Sequence, residues 1–428
     1  MFDVYVNTTL AGTLEQVDLS KFVFTYASGA NESAQISLAM PITKQEWTYF
    51  SLHPVFQVSL PEGGLRETIA RKFSKAFNRF SDLELLAVVG RNLVGRLSVV
   101  PHGHPLPQQP PQETLKDLLK ASSGELLDYY LDIHAQYSGV SGGFPKFLAA
   151  TTGNQGQPSP LAVGNWIVKG GDANHPEIVR NEYFCMMVAK RMGLPVPEFH
   201  ISDDAKRLVI RRFDIRDNGE RLGFEDMCAL MGLEAKYKFS GSVERIVKIV
   251  NDYCKPVAAT ESKHQFYAQY LACMAIRNGD AHLKNFGLVY ESKEDARLAP
   301  VYDMLTMCVY ARRAQNGDTL DQPALALDGA KRWPSTKSLA YLSSKCGIAS
   351  AWHARTVQQM LDAIEATARD IRTETAKDPG FCDIGKKMLT LWGHGVYLHS
   401  PELSNDLFDL AASVESKPQT WSNKKQRP

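Results

Sequence analysis

The sequence predicts an α+β chain in two lobes, on three observations. Strand-like alternation fills the first hundred residues and returns between 133 and 214, as in "FDVYVN", "KFVFTYA" and "RLVIRRFD". A proline-rich break, "PHGHPLPQQPPQE" at 101–113, has no periodicity and reads as a linker or a long surface crossing. From about residue 224 the apolar spacing turns helical, interrupted by the strand pair "FGLVY…ARLAPVYD". The expected organisation is a small α+β subdomain at 1–100, the linker at 101–113 and the β-rich remainder of the first lobe at 114–215. A helical second lobe follows at 216–420, with a basic tail at 421–428.

Within 1–100, the alternating runs "FDVYVN", "KFVFTYA" and "AQISLAMP" predict strands. "LPEGGLRETIARKFSKAF" predicts a helix opened by Pro-Glu-Gly, and "VGRNLVGRLSVV" a hairpin turning at Arg91-Asn92. Beyond the linker come helical "ETLKDLLKAS" and "GELLDYYLDI", then a β-rich patch at 133–170. A helix follows from Pro176, "PEIVRNEYFCMMVAKRMG", with proline in its first turn and Gly193 where a C-terminal cap belongs. Strands "EFHISD" and "RLVIRRFD" precede the helical lobe. Its later periodicity is plain in "AWHARTVQQMLDAIEATARDIRTETA" and "GKKMLTLWGHGVYLH".

Composition excludes several classes. The 428 residues carry 48 Lys+Arg against 47 Asp+Glu, so no global charge argues for direct binding to nucleic acid or a membrane surface. No run approaches eighteen apolar residues, and the opening "MFDVYVNTTLAGTL" is not a secretory leader. Seven scattered cysteines without a C-x-x-C pair suit reduced, buried thiols in a cytoplasm.

The chemistry concentrates in "RNGDAHLKNFGLVY", 277–290, where Asp280, His282, Lys284 and Asn285 follow the apolar run "FYAQYLACMAI". Phosphoryl transfer needs a positioned hydroxyl, Mg²⁺ bridging the phosphates, and cations for the developing charge. Asp280 and Asn285 have the spacing of a catalytic acid and a metal-binding carboxamide, and Asp303 ends the downstream "LAPVYD". Asn285 and Asp303 are hard oxygen donors suited to Mg²⁺. "YSGVSGGFPKF" offers Gly139, Gly142 and Gly143 to phosphate oxygens, with Lys146 at its end. Lys169 closes an apolar strand, Glu182 lies thirteen residues on within an apolar helix, and "RLVIRRFD" is fit to connect lobes beside adenine. Alone, each piece also reads as ordinary structure: a polar turn, a glycine-rich hairpin, a surface lysine, a solvent-facing glutamate, a structural histidine, or an aspartate capping a helix. Together, in this order, they form a two-lobed kinase layout.

The chain resembles the HipA-type serine/threonine kinases, the toxin halves of bacterial HipA–HipB toxin–antitoxin systems. The resemblance runs through "VYVNTTLAGTL", "GVSGGFPKFL", "NEYFCMMVAKRMGLPVPE", "RRFD", "FEDMCALMGLEAKYK", "NGDAHLKNFGL" and "LAPVYDML". It implies ATP and Mg²⁺ as cofactors, Asp280 as the catalytic acid, and Asn285 and Asp303 as metal ligands. Lys169 becomes the ATP-phosphate lysine, and His282 an organiser of the nucleotide site. The nucleotide set extends to Gly139, Ser141, Gly142, Gly143, Lys146, Arg211, Phe213 and Lys284. The resemblance further implies autophosphorylation in the glycine-rich loop, at Ser141 or Ser138. It implies a helix-turn-helix antitoxin partner of the HipB kind, with DNA reached only through it, and a cytoplasmic protein substrate such as an aminoacyl-tRNA synthetase whose modification arrests growth. Two departures stand out. Arg211 replaces the usual glutamate, leaving backbone rather than side-chain contacts to adenine, and Phe144 stands where glutamine is common. Two other readings stay open: a small-molecule phosphotransferase, which also uses G-D-x-H-x-x-N, and a pseudo-kinase corepressor acting through a DNA-binding antitoxin.

Overall fold

The computed structural model describes residues 1–73, 80–106, 114–120, 161–163, 165–171, 174–311 and 322–414. Alternation in the N-terminal subdomain builds an antiparallel five-stranded sheet in the order β4-β3-β2-β1-β5. Its strands are β1 Phe2–Val6, β2 Thr9–Asp18, β3 Lys21–Tyr26, β4 Glu46–Tyr49 and β5 Leu97–Pro101. Val4, Leu14, Phe24 and Val99 bury one face of this sheet. Helices α1 (Pro54–Gln57), α2 (Gly63–Phe73) and α3 (Asp82–Val89) supply more of the same core through Phe56, Ile69 and Leu86.

Two expected elements differ. The hairpin at Arg91-Asn92 does not form, because "LELLAVV" belongs to α3. The helix starts with a capping box in which the Leu83 N–H donates to Ser81 Oγ at 3.2 Å and the Ser81 N–H to Glu84 at 2.8 Å. Leu85, Leu86, Val88 and Val89 are all buried, so the run carries no period that separates helix from strand. "AQISLAMP" forms no strand either. Its polar groups are held from two sides: Glu225 of the second lobe accepts from Ser37 Oγ at 2.5 Å and the Leu38 N–H at 2.8 Å, and Arg96 of the N-terminal subdomain donates to the Gln35 carbonyl at 2.9 Å.

Helix α4 (Leu115–Lys120) leads to the second sheet, antiparallel and ordered β6-β7-β9-β8. It comprises β6 Leu161–Val163, β7 Trp166–Gly170, β8 Phe199–Ile201 and β9 Arg207–Arg211. The two-residue period divides this sheet between two cores. Paired Val168 and Val209 join the core of the N-terminal subdomain, while Leu208 and Ile210 join the main helical core. Helix α5 (Ile178–Arg191) packs on β7–β9, and Gly193 follows it at φ +76°, the left-handed cap the sequence predicts.

The second lobe contains α6 (Met227–Leu230), α7 (Val243–Tyr253) and α8 (Pro256–Ala275), and a small sheet ordered β10-β11-β12. Those strands are Gly223–Asp226, Gly287–Tyr290 and Arg297–Leu298. Helices α9 (Thr336–Cys346), α10 (Ser350–Lys377), α11 (Cys382–Val396) and α12 (Pro401–Ala412) complete it. Among the described residues no helix is long and apolar enough to cross a membrane.

Candidate active site

Buried helix α8 aims the polar loop. Its apolar C-terminal half anchors it, and it ends in a Schellman arrangement: the Asn278 N–H donates to Cys273 O at 2.8 Å and the Arg277 N–H to Met274 O at 3.2 Å. Arg277 takes the left-handed position at φ +57° that glycine usually fills. Its guanidinium donates to His394 O at 2.7 Å and lies 4.5 Å from the centre of the Trp333 ring, which holds the bend. The chain thus leaves the helix axis sharply, and Asp280, His282, Lys284 and Asn285 follow within one short loop.

Three elements distant in sequence meet beside that loop. Lys169 of β7 reaches Glu182 of α5 at 2.5 Å and Asp303 at 2.8 Å. The other Asp303 oxygen accepts from Asn285 Nδ2 at 2.6 Å, and Asn285 Oδ1 accepts from the His282 N–H at 2.9 Å. Asp303 caps no helix; it sits at φ +56°, in the left-handed region. Asp280 lies 4.0 Å from His282 Nε2 and lines the same cleft as Lys169 and Asp303.

Burial and charge set the ionisation here. Burial works against an ionised Asp303, but Lys169 and the Asn285 amide hold its carboxyl below the usual range. Glu182 is pushed up to about 7 by burial, with Lys169 opposing the rise and the Asp303 carboxylate adding to it. His282 is pushed down to about 4 by burial and by Lys238, so its ring is neutral at physiological pH.

The cleft encloses about 360 Å³. Ile167, Ile210 and Pro197 line its apolar end together with Phe213, whose ring meets Phe224 at 5.2 Å and Tyr302 at 5.7 Å. Arg211 lines it too, its guanidinium held by Asp217 and 3.8 Å from Glu198. Lys284 lines the same cleft. Its ammonium donates to Asp226 at 3.0 Å and to the Val58 carbonyl at 3.0 Å, tying the loop to the N-terminal subdomain. The glycine-rich positions Gly139, Gly142 and Gly143, with Phe144 and Lys146, lie outside the described residues, as do the autophosphorylation candidates Ser138 and Ser141.

Several residues at this site carry no local sequence signal. Val58–Glu62 and Asn92–Val94, from the N-terminal subdomain, form a whole wall of the cleft, and Lys238 stands opposite Glu62. Asn181, fully buried beside Glu182, forms a reciprocal pair with the Thr306 peptide: its amide donates to Thr306 O at 3.1 Å and accepts from the Thr306 N–H at 2.8 Å. Trp392 Nε1 donates to Thr306 Oγ1 at 2.7 Å. Helix α5 is thereby clipped to the segment three residues beyond Asp303. Adjacency of asparagine to Glu182 in "NEYF" was the one available hint.

Among the described residues, no group of three or more His, Cys, Asp or Glu is placed to enclose a metal. A donor set of Asn285 and Asp303 nonetheless fits Mg²⁺, which takes few protein ligands and keeps water and phosphate as the rest.

Residues 2–100 match the family described as the HipA N-terminal domain, and residues 138–371 the HipA-like C-terminal domain. The chain is 27% identical over 331 residues to "Putative kinase Y4dM" of Sinorhizobium fredii (strain NBRC 101917 / NGR234), covering 73% of this chain and 75% of that protein. It is 24% identical over 294 residues to "Putative kinase Y4mE" of the same organism, covering 64% and 69%. Its fold is similar to that of HipA from Shewanella oneidensis MR-1, solved with HipB and its operator DNA, at a TM-score of 0.56 and 16% identity over 96% of both chains. With both family regions present in order, the chain belongs to the HipA family of kinases.

Proposed function

We propose that this chain is an ATP- and Mg²⁺-dependent serine/threonine protein kinase acting as a HipA-type toxin. The observation that carries this reading is the convergence of Lys169, Glu182, Asn285 and Asp303 through contacts of 2.5–2.8 Å, with Asp280 facing the same cleft. In this reading the adenine occupies the apolar end formed by Ile167, Ile210 and Phe213, and Lys169 neutralises the phosphates while Glu182 holds the ammonium in place. Asn285 and Asp303 hold Mg²⁺, which when bound offsets the charge gathering on the phosphate oxygens. Asp280 orients the acceptor hydroxyl and takes its proton as the new O–P bond forms and the bond to the ADP oxygen breaks. Neutral His282 supports the loop through its contact with Asp280. Lys284 faces the nucleotide cleft and also ties the loop to the N-terminal subdomain.

The HipB and operator DNA of the Shewanella structure favour a helix-turn-helix antitoxin as partner here too, with DNA reached through it. The near-balanced charge of this chain agrees with that division of labour. The test is γ-labelled ATP with purified protein and host lysate. Wild type labels itself or one dominant protein, and Asp280→Ala loses at least a thousandfold of that rate, the scale of a lost group in proton transfer and positioning. Equal labelling by wild type and Asp280→Ala refutes the kinase reading.

A further inference from the structure

The cleft continues past Asp280. Leu60, Pro61, Glu62 and Lys238 line both it and a second groove of about 280 Å³, which runs outward between the N-terminal subdomain and residues 234–238. Each wall of the groove carries its own ion pair: Arg66–Asp82 at 2.5 Å on the subdomain side and Lys236–Glu234 at 3.0 Å opposite. A third pair, Lys238–Glu62 at 2.8 Å, bridges the walls where groove meets cleft.

The groove is coupled to the catalytic loop by direct bonds. The Leu283 N–H donates to Lys238 O at 3.1 Å, and the Phe239 ring meets the His282 ring edge-on at 5.0 Å. The Ala235 N–H donates to Gln57 Oε1 at 2.9 Å, which ties the two walls to each other. We propose that this groove seats the acceptor segment of the protein substrate, and that the Glu62–Lys238 pair selects the charge beside the acceptor hydroxyl. This rests on the kinase reading and deepens it.

Three features favour an extended polypeptide as occupant. In the kinase reading the nucleotide takes the end of the cleft around Lys169 and Phe213, which both line it. A small alcohol fits within the cleft and has no use for a groove leading out of it. Finally, an apolar strip of Leu60 and Pro61 flanked by charges of both signs matches a peptide backbone with charged side chains. Glu62 also lies 3.9 Å from Lys284, so it has a second cation to turn to. An acidic side chain on the acceptor therefore takes Lys238 while Glu62 moves to Lys284. The groove selects for an acid near the phosphorylated serine or threonine.

The test uses the full-length chain, Mg·ATP and a library of serine peptides with glutamate or lysine fixed at each flanking position. Wild type favours glutamate over lysine at one flanking position by about fivefold, the scale of one partly exposed ion pair. The variant Lys238→Gln keeps a hydrogen-bond donor for Glu62, which protects the fold, and loses the preference for glutamate. The ratio of acceptor KM to ATP KM is followed in parallel and moves with the peptide's charge. A wild type without charge preference, a preference unchanged in Lys238→Gln, or equal shifts in both KM values overturn the groove assignment. Peptide labelling no greater than that of Asp280→Ala sinks instead the kinase reading beneath it.

Discussion

Asn181 gives the sharpest test of how the charges around Lys169 are held together. Asn181→Leu keeps volume but removes the acceptor of the Thr306 N–H, bonded at 2.8 Å, and one of two donors to the Thr306 carbonyl, which keeps the Val309 N–H at 3.3 Å. Thr306 is fully buried, so water cannot replace them without opening the core. One unsatisfied buried peptide N–H costs about 1–3 kcal/mol, and the variant loses stability on that order. That is a large share of the ~5–15 kcal/mol typical of folded proteins, yet compatible with a folded chain at low temperature.

The catalytic consequence is separate. Glu182 adjoins Asn181 and Asp303 precedes Thr306 by three residues, so releasing the clip lets the two acids that share Lys169 drift apart. Misplacement by about 1 Å costs on the order of a hundredfold in rate. Urea unfolding followed by tryptophan fluorescence reports the first effect, and kcat at saturating ATP and acceptor the second. Stability within 1 kcal/mol of wild type together with kcat within about threefold would refute the positioning role, because the clip would then be incidental packing.

Two further outcomes follow from buried charge. Burial holds the His282 pKa near 4 rather than 6.5, so its contribution is full above pH 6.5 and is lost as pH falls through 4. The loss is about 3 kcal/mol, and pH-dependent denaturation should show His282→Gln without that component. Asp214 pairs with fully buried Arg212 at 2.6 Å and accepts the Gly95 N–H at 2.6 Å, so Asp214→Asn strands a buried guanidinium. That variant should lose about 3–5 kcal/mol in thermal or urea unfolding, and a loss below 1 kcal/mol would show that Asn92 and the Leu93 carbonyl suffice for Arg212.

The parts of the site visible in sequence are those whose order and spacing the proposed chemistry dictates. Asp280 and Asn285 must share one loop, and Asp303 must return after a short strand pair; both constraints are local enough to read. Lys169 and Glu182 were readable as a possible pair because each ends or faces a periodic element. The invisible parts are long-range. Glu62 and Lys238 are 176 residues apart, and nothing in either neighbourhood marks the contact. Arg212 reads as one more cation in "RRFD", yet it is buried beneath the connector against Asp214. The mistaken hairpin at Arg91-Asn92 has the opposite cause. Apolar side chains on every face of α3 erase the period that would have identified it.

One backbone feature explains how the two halves of the site stay in register. Asp303 adopts φ +56°, a left-handed conformation that costs about 1–2 kcal/mol for a residue with a Cβ, though aspartate tolerates it better than most. The bend separates the directions of two neighbouring side chains. Tyr302 donates to the Lys284 carbonyl at 2.8 Å, on the loop side, while Asp303 reaches Lys169 and Asn285. An extended residue 303 would swing its carboxylate off Lys169 or pull Tyr302 off the loop. A glycine would permit the bend but supply no carboxylate. Only a short acid that accepts the strained dihedral joins β7, α5 and the catalytic loop at one point, and its ion pair and amide contact offset the local cost.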